Sequence, residues 1–96
     1  MWESILNKKP NKTKSVQIRK KMEDEEEKFL VFDFSNAVLY VLNNVAGRIT
    51  ELSNGERDLK TILEILKNEY DVPENVLISD IEKFLNELVE KKLVEI

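Results

Sequence analysis

The chain offers little with which to break or make covalent bonds. Its 96 residues contain no His and no Cys. The commonest general base and metal ligand is therefore missing, as is any thiolate nucleophile, disulfide or cysteine-held iron–sulfur cluster. A Ser-His-Asp site cannot be assembled. The acids and bases that remain are Asp, Glu, Lys and Tyr. Asp80 and Glu82 sit two residues apart on a helical pattern and face different directions, while Glu51 and Asp58 fall near helix ends, where carboxylates cap and solubilise. Ser53-Asn54-Gly55 lacks the glycine pattern and the Lys-Ser/Thr of a phosphate loop. Glu23-Asp24-Glu25-Glu26-Glu27 lacks the glycine turn and spaced ligands of a calcium loop. These residues predict a protein that is not an enzyme and holds no metal or cofactor.

Binding is the chemistry left, and the stretch that points to it is Ala37-Val38-Leu39-Tyr40-Val41-Leu42. It carries no charge on either face. An exposed strand of this kind invites pairing with another chain. Proteins usually blunt such edges with Lys, Pro or a bulge, and none is present here.

The neighbouring segments must position that strand. Val16, Ile18, Lys20 and Met22 alternate with Gln17, Arg19 and Lys21, a period-two pattern that predicts a strand with one wet face. The acidic run 23–27 predicts a solvated hairpin loop. Phe29 to Phe34 predicts a second strand with apolar residues on both faces, hence a central strand covered on both sides. Short connections favour a meander in the order 1-2-3, which leaves Ala37–Leu42 at an edge. Three helices follow. The first is capped by Asn43 or Asn44, runs through Ala46, Ile49 and Leu52, and stops at Asn54-Gly55. The second opens at Asp58 and carries Leu59, Ile62, Leu63 and Leu66 on one stripe. The third is signalled either by a capping box at Ser79-x-x-Glu82 or, earlier, by Pro73 as a first-turn proline. The expected fold class is α+β: a three-stranded antiparallel sheet followed by three helices, in a winged helix-turn-helix-like layout.

Charge is unevenly placed. Residues 1–22 hold seven Lys/Arg against one Glu, and residues 28–96 hold eight basic and thirteen acidic side chains. Residues 1–15 therefore read as a basic, flexible N-terminal tail, with Trp2 a candidate anchor on a neighbouring chain. Residues 16–96 read as the folded domain. Nucleic-acid binding requires Lys/Arg to neutralise phosphates. The third helix instead sets Asp80, Glu82, Glu87 and Glu90 against Lys83, Lys91 and Lys92, and the composition argues against DNA. No apolar run reaches the ~18 residues of a membrane span, and no secretory signal precedes the domain, so a cytoplasmic setting is expected.

Leu42-Asn43, Ala46, Ile49, Leu52 and Gly55, then Ile62, Leu66 and Tyr70-Asp71-Val72, then Asp80-Ile81, Phe84-Leu85, Leu88 and Leu93 together resemble the PqqD-like family over residues 16–96. Two features depart from its pattern: Lys9-Pro10 stands well before the first strand, and Gly47 lies inside a helix, which close approach of a neighbouring backbone would explain. The resemblance implies a peptide-recognition element, or peptide chaperone, of modified-peptide biosynthesis. Such a domain holds the leader of a ribosomally made precursor between the third strand and the third helix. It implies strand contacts from Leu39, Tyr40 and Val41 and helix contacts from Ile78, Ile81, Glu82 and Leu85. It also implies a modifying enzyme as partner, a radical-SAM maturase or a leader peptidase. The alternative from the residues is a homodimer, or larger homo-oligomer, that covers the bare strand with its own twin.

Overall fold

The computed structural model describes residues 2–96. The elements run α1 (Trp2–Ile5), β1 (Asn11–Lys12), β2 (Val16–Glu23), β3 (Glu26–Asp33), β4 (Val38–Leu42), α2 (Asn44–Leu52), α3 (Leu59–Glu69), α4 (Glu74–Glu90) and β5 (Val94–Glu95). β2, β3 and β4 form one antiparallel sheet with β3 in the centre, and β1 pairs with β5 in a second, two-stranded sheet. The main sheet and the three longer helices make the expected α+β, winged-helix-like arrangement.

Local chemistry explains most boundaries. Asn43 caps α2 by accepting the Ala46 N–H at 2.8 Å, and Asp58 caps α3 by accepting the Thr61 N–H at 2.8 Å. α2 ends at Leu52, and Gly55 takes a left-handed φ of 80° just beyond. α4 begins at Glu74 with Pro73 as its cap, so Ser79 and Glu82 lie inside the helix and no capping box forms. Residues 74–78 lack a side-chain cap but can still be helical, because Pro73 fixes the entry and its carbonyl accepts the Leu77 N–H at 3.1 Å.

Several expectations change. The acidic loop is only two residues long. Glu23 pairs with Glu26, and Asp24 and Glu25 both adopt left-handed φ values, 52° and 64°. This is the geometry that a two-residue hairpin demands, and Asn-Gly usually supplies it. Ala37 likewise leaves the strand for the β3–β4 turn, at φ 53°.

The central strand is covered on one side only. Phe29 and Val31 are fully buried beneath the helices, whereas Leu30 and Phe32 on the opposite face stay half-exposed and Phe34 is 60% exposed. α2 packs on the inner face of the sheet.

The leading segment is not a free tail. α1 rests Trp2 and Ile5 on the core, and Pro10 is buried. The Leu6 and Lys8 carbonyls accept the Lys60 and Leu59 N–H groups, each at 3.0 Å, so this segment serves donors at the start of α3 that have no partner within the helix. The Pro10 carbonyl accepts the Gly55 N–H at 2.9 Å, and β1 completes the attachment by pairing with β5. Lys8, Lys9 and Lys14 keep their charges at the surface while the backbone between them is tied down. Met1, the remaining residue of the expected tail, lies outside the described residues.

The core joins Val16 and Val31 of the sheet to Ile49, Leu59, Ile62, Leu66, Leu77, Ile81, Leu85, Leu88 and Leu93. Gly47 faces Phe29 across it. A Cβ at Gly47 would overlap the Phe29 ring, so the close neighbour is an aromatic side chain rather than the backbone expected.

Candidate functional site

The free edge of β4 can be assigned atom by atom from the sheet register. The Phe34 N–H donates to the Ser15 carbonyl at 2.9 Å, continuing the β2–β3 ladder one step beyond Val16 and Asp33. In an antiparallel ladder successive residues direct their polar groups to alternate sides. Leu30 and Phe32 therefore bond toward β2, and Phe29, Val31 and Asp33 bond toward β4. Their partners are Leu42, Tyr40 and Val38. Leu39 and Val41 are left with their N–H and C=O groups directed away from the sheet, toward the open edge.

Side chains follow the same alternation. Leu39 is 56% exposed and Val41 60% exposed on the outer face. Val38, Tyr40 and Leu42 are half-buried on the inner face, with Tyr40 and Leu42 touching the core.

β4 packs against β3 and α2, while α4 packs against α2, α3 and β5. Ile78, Glu82, Leu85 and Val89 recur at helical spacing along one stripe of α4. Val89 lines a cavity of about 490 Å³ together with Ser35 and Asn36, which brings the C-terminal end of α4 to the turn that leads into β4. Lys92, Val94 and Ile96 close the same cavity.

The seven residues named from the sequence are thus divided. Tyr40, Ile78 and Glu82 are half-buried. Leu39 and Val41 place their backbone at the edge and their side chains on the outer face. Ile81 and Leu85 are 0% and 2% exposed and belong to the core. Val89 was not among the seven; its spacing of eleven residues from Ile78 was the available signal. Asn36 and Ser35 carried no such signal, since only the folded turn brings them to α4.

The turn that leads into β4 is held by Asp33. Its carboxylate accepts from the Asn36 amide at 2.8 Å, the Ser35 N–H at 3.0 Å and the Ser15 hydroxyl at 3.2 Å. The Asn36 bond, with those from the Ser35 and Asn36 backbone and from Ser15, outweighs burial and holds Asp33 below the usual carboxylate range. A buried anion this fully hydrogen-bonded fixes where β4 begins.

On α2, Arg48 donates to Glu69 of α3 through Nε at 2.9 Å and Nη2 at 2.7 Å, and to Glu51 through Nη1 at 3.1 Å. The Arg48 hydrogen bonds hold Glu69 below its ordinary value. This cluster lines a cavity of about 420 Å³ with Lys20, Glu27, Asn44 and Tyr70. Its arginine is already committed to two carboxylates, and the cluster joins α2 to α3. Among the described residues no group of acidic side chains is arranged to hold a metal ion, and no helix is long and apolar enough to cross a membrane.

A bare strand edge of this kind, on a winged-helix-like body, is one that can accept an extended peptide. The family model for coenzyme PQQ synthesis protein D (PqqD) matches residues 28–94, and the chain belongs to that family. Among solved structures it is similar to TbiB1 in complex with the TbiA(beta) leader peptide. The TM-score is 0.69 at 21% identity, covering 88% of this chain and 94% of that one. That likeness establishes the shared fold. No curated protein matches the chain.

Proposed function

We propose that this domain captures the leader segment of a ribosomally made precursor peptide as an extra strand on β4 and presents it to a modifying enzyme. The observation that carries the reading is the pair Leu39 and Val41, whose backbone groups point away from the sheet at its open edge. A guest strand there gains up to four main-chain hydrogen bonds. In this reading its inward side chains lie beside Tyr40 and enter a slot between β4 and the Ile78, Glu82 and Val89 stripe of α4. Membership of the PqqD family and the leader peptide bound to the similar TbiB1 both support this choice of guest.

The domain supplies positioning, not bond chemistry. Holding the leader raises the local concentration of the attached core segment near an enzyme and leaves that segment free to react. A radical-SAM maturase or a leader peptidase, working in the cytoplasm where the precursor is made, is the enzyme partner this role calls for.

The test is an amide-resolved NMR titration with synthetic leader segments of candidate precursor peptides. The expected result is selective shifts at Leu39, Val41 and the Ile78–Val89 stripe, with protection of the Leu39 and Val41 amides from exchange. Shifts confined to Lys8–Lys14 or to the Arg48 cluster would refute this site.

A further inference from the structure

Resting on capture at the β4 edge, a second feature specifies what kind of segment is captured. On the outer face of the sheet, Leu39 lies opposite Phe32 and Val41 opposite Leu30. Phe34 extends this patch through an edge-to-face contact with Phe32, centroids 4.5 Å apart. The same face of β2 carries Gln17, Arg19 and Lys21, which lie opposite Phe32, Leu30 and Lys28. The apolar patch is therefore not centred on the sheet. It is displaced to the open edge; Arg19 and Lys21 stand two strands away from β4, roughly 10 Å off at ordinary strand spacing, and Lys28 stands on the adjacent β3, two residues along from Leu30.

A guest strand on β4 would place alternate side chains beside Leu39 and Val41, within direct cross-strand contact. A charged guest side chain there would lose water against Leu39, Val41, Leu30 and Phe32. It would find no countercharge opposite it, because Arg19 and Lys21 are three strands away and Lys28, on β3, is two strand spacings, roughly 10 Å, from a guest. The inward positions would lie beside the inner-face side chains of β4, Val38, Tyr40 and Leu42, all half-buried and apolar or aromatic, with Glu82 the one charged side chain on the proposed α4 wall. We infer that the captured segment is apolar on both faces: a run of about four consecutive apolar residues, rather than the alternating pattern of an ordinary edge strand. Leu39 and Val41 then act twice, pairing through the backbone and selecting through their side chains.

A phage-displayed library of random 12-residue peptides, selected on the wild-type protein and on the Leu39→Lys/Val41→Lys double variant, tests this. Both substituted side chains are exposed, so the variant should keep the wild-type circular dichroism and melting transition. Wild type is expected to enrich consecutive apolar runs. The variant is expected to keep apolar residues at inward positions but to switch the outward ones to Asp and Glu. It should bind a wild-type-selected peptide on the order of tenfold more weakly, from two lost cross-strand pairs.

Selection of alternating polar and apolar peptides by wild type, or of the same sequences by both proteins, would overturn the inference while leaving strand capture intact. Selected peptides that fail to shift the Leu39 and Val41 amides would overturn strand capture itself, and the inference with it. A wild-type dimer in sedimentation that the double variant converts to monomer would assign the patch to a second copy of the chain, and would also overturn it.

Discussion

Replacing Val41 by proline separates the edge of the sheet from the sheet. Proline removes one backbone donor and fixes φ near −65°. By the alternation set out above, the Val41 N–H points to the open edge, so its loss breaks no bond within the domain. The residue before a proline is pushed toward extended backbone, which Tyr40 already has. What the variant lacks is one of the four hydrogen bonds available to a guest strand, leaving a guest carbonyl unpaired and partly desolvated. That loss is worth about 1–3 kcal/mol, or roughly 5- to 150-fold in affinity at 1.4 kcal/mol per tenfold. Tyr40→Pro is the matched control. The Tyr40 N–H faces Val31, so its removal opens the ladder to the central strand and should lower the melting temperature. Calorimetric titration of a leader peptide, paired with thermal melts, reads both. Val41→Pro should lose binding and keep its melt, and Tyr40→Pro should lower its melt. A Val41→Pro protein that melts as early as Tyr40→Pro would show that the ladder phase is reversed. One that melts normally and binds normally would show that no strand is added at this edge.

Two further outcomes follow from packing. Gly47→Ala adds a methyl group where the Phe29 ring already sits. Overpacking of this kind costs about 1–3 kcal/mol, against a gain of up to about 1 kcal/mol from helix propensity. Gly47→Ala should therefore lower the denaturation midpoint, and the combined Gly47→Ala/Phe29→Leu change should recover part of the loss. Deleting residues 1–10 removes the carbonyls that serve Leu59, Lys60 and Gly55 and uncovers the core beneath Trp2 and Ile5. Urea unfolding should shift to a lower midpoint by an amount equivalent to a few kcal/mol. Peptide affinity measured below the transition should stay within about twofold, because the segment's backbone bonds go to α3 and Gly55 rather than to β4; a truncation with unchanged stability would refute the docking of this segment.

The local signals in the sequence were sufficient for what local physics controls. Period-two alternation marked β2, Asn43 and Asp58 marked the starts of α2 and α3, and the uncharged run 37–42 marked a strand with nothing to blunt its edge. The absence of His and Cys turned attention from catalysis to binding. Local rules misled where a nearby pattern competed with a stronger constraint. Ser79-x-x-Glu82 imitates a capping box inside α4, and Asp24-Glu25 forms a tight turn in a backbone conformation that neither residue favours. In the second case the paired strands on either side dictate the turn.

Whether an apolar residue faces a guest or the core lies beyond sequence pattern, because both environments select the same side chains. Ile81 and Ile78 are three residues apart on one helix, yet only the packing of α4 against α2 and α3 buries the first and leaves the second half-exposed. Which amides of β4 are free was equally hidden, since the phase of a ladder is set by one long-range pairing, here Phe34 to Ser15. The basic composition of residues 1–15 concealed a docked segment because the groups that tie it down are backbone carbonyls, which every residue carries alike. Sequence determined the elements and the bare strand by itself. The tertiary structure decided which atoms of that strand are open, since that depends on partners far away along the chain.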